Sequence, residues 1–86
     1  MKVAVWDTYV TKKDGSIMHF DIIVPNEITN TDQIFGYGRL YLTSKGQENQ
    51  ELSSNQCKYC HFEHLQKFMK KDLIEKGYYI IEMSGC

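Results

Sequence analysis

The sequence has no long hydrophobic run, no excess of charge of one sign and only one proline among its 86 residues. A membrane-spanning helix needs about 20 consecutive apolar residues, so the lack of such a run excludes a membrane span. The 10 basic residues and 11 acidic residues give a formal net charge of −1. Because nucleic-acid-binding proteins normally carry a basic surface, we expect neither a membrane nor a nucleic acid as the partner.

An export signal is also lacking, because the first residues contain neither a basic region followed by an apolar stretch nor a cleavage site. The cysteines number only 3. An odd number of cysteines in a chain without an export signal indicates thiols or metal ligands and argues against a disulfide framework. We therefore expect a soluble cytoplasmic protein that forms a single domain over residues 1–86.

Alternating apolar residues at the start of the chain predict a β-hairpin with strands over residues 2–11 and 16–24. Asp14 and Gly15 favour a three-residue turn in which Lys12 pairs with Ser16, and this turn sets the strand register. The predicted pairs are Val10–Met18, Thr8–Phe20, Trp6–Ile22 and Ala4–Val24 on the apolar face, and Tyr9–His19, Asp7–Asp21 and Val5–Ile23 on the opposite face.

Two later segments with helical spacing predict amphipathic helices. The first begins at an N-cap formed by Thr31 and ends at Gly46, and Gly38 would let it approach the sheet closely. The second ends at Gly77. The predicted buried residues are Ile34, Phe35, Gly38, Tyr41, Leu42 and Lys45 in the first helix and Leu65, Phe68, Met69 and Leu73 in the second.

The remaining segments complete the predicted fold. Residues 47–56 are polar and predict a loop, whereas residues 57–62 and 78–83 predict strands. The expected fold is therefore α+β in the order ββαβαβ. It consists of a four-stranded, mostly antiparallel sheet with both helices on one face.

The predicted register brings two carboxylates and a histidine to one face of the hairpin. Asp7 would face Asp21, with His19 in the next pair along, and we call these three residues the Asp–His–Asp cluster. Two facing carboxylates repel each other, so one pKa should rise unless a cation or a donor lies between them. The cluster is therefore a candidate divalent metal site or acid–base group. Alternatively, both carboxylates accept hydrogen bonds from loop amides or face water.

The most specific local motif is a Cys-x-x-Cys-His sequence formed by Cys57, Cys60 and His61, and Cys86 ends the chain. These four residues, the cysteine cluster, could bind zinc, with His64 as an alternative to His61. The motif also fits a thiol redox pair or, formally, covalent haem attachment. Haem attachment requires export, and a second zinc knuckle is lacking, so simple packing of buried cysteines is the leading interpretation.

Several segments of the sequence together resemble one family over nearly the whole chain, the bacterial domain-of-unknown-function family 2024. The resemblance implies a compact α+β fold and a bacterial origin, and it implies no activity. It also puts both clusters at motif positions. The segments are Val5-Trp6-Asp7-Thr8-Tyr9-Val10, His19-Phe20-Asp21, Val24-Pro25, Cys57-Lys58-Tyr59-Cys60-His61, Gly77-Tyr78-Tyr79-Ile80-Ile81 and Gly85-Cys86.

Two functional hypotheses follow from these residues. The first is a non-enzymatic binding or structural module, in which the cysteine cluster binds zinc or packs in the core. The second is a small enzyme that uses the Asp–His–Asp cluster in acid–base or metal-assisted chemistry, or Cys57 and Cys60 in thiol redox chemistry. The sequence contains no nucleophile elbow, phosphate-binding glycine loop or metalloprotease motif, which favours the first hypothesis. Tyrosines on the first helix and the last strand could leave apolar surface exposed, and a second copy of the chain could cover this surface in a homodimer.

Overall fold

The computed structural model describes residues 2–57 and 65–86. Its elements are β1 (Val3–Thr11), β2 (Ile17–Pro25), α1 (Thr31–Ser44), β3 (Leu52–Cys57), α2 (Lys67–Glu75) and β4 (Tyr79–Ser84). The described strands form one antiparallel sheet in the spatial order β3-β1-β2-β4. The predicted α+β class and the order ββαβαβ are therefore confirmed. Within the described residues, no helix is long and apolar enough to cross a membrane.

The hairpin of β1 and β2 has the predicted turn and the predicted register. The backbone N–H of Lys12 donates to the carbonyl of Ser16 at 2.7 Å, and Gly15 adopts a left-handed φ of +88°. This conformation favours glycine, so the turn sequence determines how the two strands are aligned. Every cross-strand pair predicted for the hairpin occurs in the structure.

One face of the sheet packs against α1. Gly38 of α1 is buried where the helix meets the sheet, and a Cβ atom there would lie 2.9 Å from Leu52 Cδ2 and 3.3 Å from Ile22 Cδ1. The predicted close approach at this glycine is therefore confirmed. The buried residues of this core are Ala4, Trp6, Val10, Met18, Phe20, Ile22, Val24, Ile34 and Leu42.

The second helix packs on the other face, so the prediction that both helices lie on one face is wrong. Leu73 of α2 packs with Val5 and Ile23, a cross-strand pair that points away from α1. The reason is visible in the neighbouring pair, Ala4 and Val24, which is also apolar. At this end of the hairpin both faces are therefore apolar, and each face requires its own covering helix.

The N-cap of α1 is Asn30, not Thr31 as predicted. The Asn30 side chain accepts a hydrogen bond from the backbone N–H of Gln33 at 3.0 Å, and Thr31 is the first helical residue. Asn is the more favourable N-cap of the two residue types, so residue preference agrees with the observed cap. At the other end Lys45 is the C-cap, and Gly46 follows it with a left-handed φ of +72°.

The third strand forms inside a segment predicted to be a loop. Leu52–Cys57 pairs with β1, and its buried Ser54 hydroxyl lies 2.9 Å from the hydroxyl of Thr8. Most side chains of β3 are polar because this edge strand buries little of its surface, so its sequence carries a weak strand signal. The loop prediction is wrong for residues 52–56, and residues 58–62 of the predicted strand lie outside the described residues.

Candidate functional site

The register of β1 and β2 assembles the Asp–His–Asp cluster. Asp7 of β1 lies opposite Asp21 of β2, and His19 lies two residues before Asp21 on the same strand. Side chains two residues apart on a strand point to the same face, so all three project together. This is the face that α2 covers only at the end containing Val5 and Ile23.

The three side chains converge to distances that suit a bound cation. His19 Nε2 lies 3.6 Å from Asp7 Oδ1 and 3.7 Å from Asp21 Oδ1. One potential ligand atom from each residue lies within 4.8 Å of the other two. Ligand atoms around a tetrahedral zinc ion, with bonds of about 2.1 Å, are roughly 3.4 Å apart. Small side-chain rotations would therefore close the cluster around an ion.

Two atoms of the cluster are buried without a hydrogen-bond partner in the described part of the chain. They are His19 Nε2 and Asp21 Oδ1, whereas the Asp7 side chain is 41 % exposed. A buried polar atom without a partner destabilises a fold by about 1–3 kcal/mol. Two such atoms beside each other favour a ligand that binds both of them.

Burial raises the pKa of Asp21 to about 6, and the hydrogen bond and negative charge of Asp7 act in the same direction. The charge of His19 acts the other way and lowers this pKa. The direction of this shift agrees with the expectation for a facing carboxylate pair, but burial is a larger cause of it than repulsion by Asp7. Asp21 is ionised above this pKa, so it can bind a cation at neutral pH and take up a proton in mildly acidic solution.

Tyr9 fixes the orientation of the imidazole ring. The rings of Tyr9 and His19 stack with their centroids 4.3 Å apart and their planes 7° from parallel. Such a stack restricts rotation of the His19 side chain and holds its Nε2 atom between the two carboxylates. The register predicted from the sequence already paired these two residues, but the sequence indicated no role for Tyr9.

A sequence profile of the domain of unknown function DUF2024 matches residues 1–83. The chain belongs to the DUF2024 family. The NMR structure of protein NE1680 from Nitrosomonas europaea is similar, with a TM-score of 0.77 and 29 % sequence identity. The match covers 100 % of this chain and 99 % of that one. No curated protein matches the sequence.

In this DUF2024 domain the two described cysteines lie far apart. Cys57 ends β3 opposite Val5, whereas the thiol of Cys86 donates to the carbonyl oxygen of His19 at 3.4 Å. Val5 pairs with Ile23, so the two cysteines are separated by about 13 Å along the strands as well as by the spacing between strands. The structure therefore does not bring Cys57 and Cys86 together as ligands of one ion.

The two cysteines also differ in oxidation state. Cys57 is disulfide-bonded, whereas Cys86 is a free and exposed thiol. The sulfur of Cys57 is therefore not a thiol in this structure. Cys60, His61 and His64 lie outside the described residues, so zinc binding and redox chemistry at the Cys-x-x-Cys-His motif stay predictions.

Proposed function

We propose that this DUF2024 domain is a non-enzymatic binding module whose Asp–His–Asp cluster binds one divalent cation such as zinc. The observation that carries the proposal is the convergence of three ligand atoms within 4.8 Å, two of which are buried without a hydrogen-bond partner among the described residues. Carboxylate oxygens and imidazole nitrogen are common ligands of zinc and of neighbouring divalent transition metals.

The electrostatics of the cluster favour a cation over a neutral ligand. The negative charge of Asp7 contributes to the raised pKa of Asp21. A divalent ion between the two carboxylates relieves that repulsion and offsets both charges. Three protein ligands would leave a coordination position for water or a further ligand, and the Asp7 side chain is partly exposed.

Isothermal titration calorimetry of metal-free, untagged protein with zinc tests this proposal. We expect one ion per chain for the wild type. Because loss of an outer-shell partner already costs roughly ten- to hundredfold, loss of a direct ligand in His19→Gln or Asp21→Asn should weaken binding by at least that much. Asp32→Asn removes one negative charge, as Asp21→Asn does, but at an exposed position of α1. This control variant should bind zinc like the wild type. Equal affinity in all four proteins would rule out the cluster as the site.

A further variant separates this site from the cysteine cluster. Cys57→Ser combined with Cys60→Ser removes the Cys-x-x-Cys pair and leaves the Asp–His–Asp cluster intact. Unchanged zinc binding by this double variant supports the proposed site. Loss of the bound ion would instead assign zinc to the cysteines, which is the zinc-binding alternative for the cysteine cluster.

A second candidate function, acid–base chemistry by Asp21, is favoured by its raised pKa. General acids and bases are most effective when their pKa lies near the working pH, and Asp21 is raised to about 6. Titration of the side-chain carboxyl carbon by NMR tests this function before any substrate is known. A midpoint near pH 6 supports it, whereas the ordinary aspartate value near 4 would remove its basis.

A further inference from the structure

Half of the sheet face that carries the Asp–His–Asp cluster is open. At one end of this face Val5 is buried beneath α2, but at the other end Tyr9 is 49 % exposed and Ile17 is 55 % exposed. On the opposite face of the same end, Met18 is buried in the core beneath α1. Within the described residues, therefore, one face of this end is covered and the other is not.

The open half of the face is both apolar and acidic. A groove of about 540 Å³ runs beside Tyr9 and Ile17 and is also lined by Glu51. The partly exposed carboxylate of Asp7 lies next to Tyr9 on β1 and contributes a second acidic group. We call this surface the open half-face, and it is formed by Asp7, Tyr9, Thr11, Ile17, Glu51 and Ser53.

The outward side of α2 has the complementary composition. Three lysines and Ile74 lie along one side of the helix, because their positions differ by three or four residues. Ile74 is 74 % exposed, and Phe68, which the sequence predicted to be buried, is 53 % exposed. This surface is basic on balance and partly apolar, and it is formed by Lys67, Phe68, Lys70, Lys71, Ile74 and Glu75.

We infer that two copies of the chain form a symmetric dimer in which α2 of each copy covers the open half-face of the other. Both surfaces lie on the same side of the sheet, with α2 at one end of the strands and the open half-face at the other. A two-fold axis that runs across the strands, parallel to the sheet, exchanges these two ends. Each contact is therefore made twice, as in other isologous dimers.

The dimensions of the two surfaces agree. Three strands about 4.8 Å apart and about five residues long give an open half-face of roughly 14 by 16 Å. A nine-residue helix is about 14 Å long and about 10 Å wide, so α2 of the partner fits on this area. The exposed Ile74 would then pack on Tyr9 and Ile17 of the other copy.

Charge favours a second copy over a lipid surface as the occupant. The lysines of α2 are attracted by anionic lipids, but the carboxylates of Asp7 and Glu51 on the same side of the molecule are repelled by them. In the dimer the same lysines approach these carboxylates instead.

Sedimentation equilibrium of the metal-free protein, from about 10 µM to about 1 mM, tests the dimer. We expect concentration-dependent dimerisation for the wild type and at least about tenfold weaker association for Lys70→Glu combined with Lys71→Glu. Lys2→Glu combined with Lys12→Glu changes the net charge equally outside both surfaces and should leave the dimer intact. A wild type that stays monomeric throughout this range would overturn the inference.

A charge-swap experiment identifies the surfaces that meet. Glu51→Lys combined with Ser53→Lys makes the open half-face basic, so this variant should also be monomeric alone. Mixed with the Lys70→Glu, Lys71→Glu variant, it should form a heterodimer in which both contacts attract. One contact joins the acidic α2 to the basic open half-face, and the other joins the unaltered α2 to the unaltered open half-face. A mixture that stays monomeric while both variants have the wild-type circular dichroism spectrum would refute the arrangement. All four positions lie outside the Asp–His–Asp cluster, so this test does not depend on metal binding.

Discussion

At the scale of single residues, two glycines of α1 have different surroundings although they are only two positions apart. A Cβ atom at Gly38 would lie 2.9 Å from Leu52 Cδ2 and 3.3 Å from Ile22 Cδ1, whereas one at Gly36 would meet nothing within 4 Å. Gly38 thus allows the close packing of α1 on the sheet, and the packing gives no reason for Gly36.

Alanine substitutions distinguish these two glycines. In both cases alanine favours the helix by about 1 kcal/mol, but at Gly38 it also overpacks the core at a cost of about 1–3 kcal/mol. We therefore expect Gly36→Ala to raise the free energy of unfolding by up to about 1 kcal/mol and Gly38→Ala to lower it. Urea denaturation measures both. If Gly36→Ala and Gly38→Ala raised the free energy of unfolding equally, the core around Gly38 would have room for a methyl group.

Asp21 gives the metal-free protein a pH-dependent stability. Its pKa is raised from 3.8 to about 6 in the folded state, so between these values the folded chain holds a proton that the unfolded chain has lost. The free energy of unfolding should therefore fall as the pH rises from about 4 to about 6, by about 2 kcal/mol after allowance for solvent screening.

Urea denaturation across this pH range checks the prediction. Asp21→Asn should remove this component of the pH dependence and make the protein more stable than the wild type at pH 7, because an amide carries no charge to bury. Asp32→Asn, at an exposed position, should keep the wild-type slope. The same slope in Asp21→Asn as in the wild type would assign the pH dependence to another group.

At the scale of secondary-structure elements, the hairpin could be predicted and β3 could not. The sequence of the turn at Gly15 acts locally, so it sets the register of β1 and β2 without help from the rest of the chain. By contrast, β3 is ordered by its pairing with β1, and its polar sequence is typical of a loop. One specific contact in this pairing is the buried hydroxyl pair of Thr8 and Ser54.

A pair of serine variants tests this account of β3. Ser54→Ala removes the buried hydrogen bond to Thr8 and should lower the free energy of unfolding by about 1 kcal/mol. Ser53→Ala changes an exposed neighbour on the same strand and should have little effect. Urea denaturation of both variants provides the comparison. Two equally small effects would mean that the backbone pairing alone determines the position of β3.

At the scale of the whole molecule, the sequence predicted the features that depend on the register of the hairpin. It did not predict the features that depend on the order of the strands in the sheet. The Asp–His–Asp cluster follows from the hairpin alone, so its assembly could be predicted. The separation of Cys57 from Cys86 depends on the order β3-β1-β2-β4, which is set by long-range pairing. The placement of α2 on the second face depends on the same tertiary packing.

The chemistry of the cluster was only partly predictable. Repulsion between facing carboxylates follows from their pairing, and the raised pKa of Asp21 agrees with it. The burial of His19 Nε2 and its orientation by the Tyr9 ring depend on side-chain packing across the face. Sequence spacing does not encode that packing, so the most informative feature of the site appears only in three dimensions.

Metal binding by the Asp–His–Asp cluster is tested most directly by NMR of the imidazole nitrogens while zinc is added to the metal-free protein. The proposed site predicts that Nε2 of His19 moves to a metal-bound chemical shift at one equivalent of zinc. Asp21→Asn should show this change only at much higher zinc concentration. An unchanged His19 signal at one equivalent, with zinc bound at His61 or His64 instead, would contradict the proposed site.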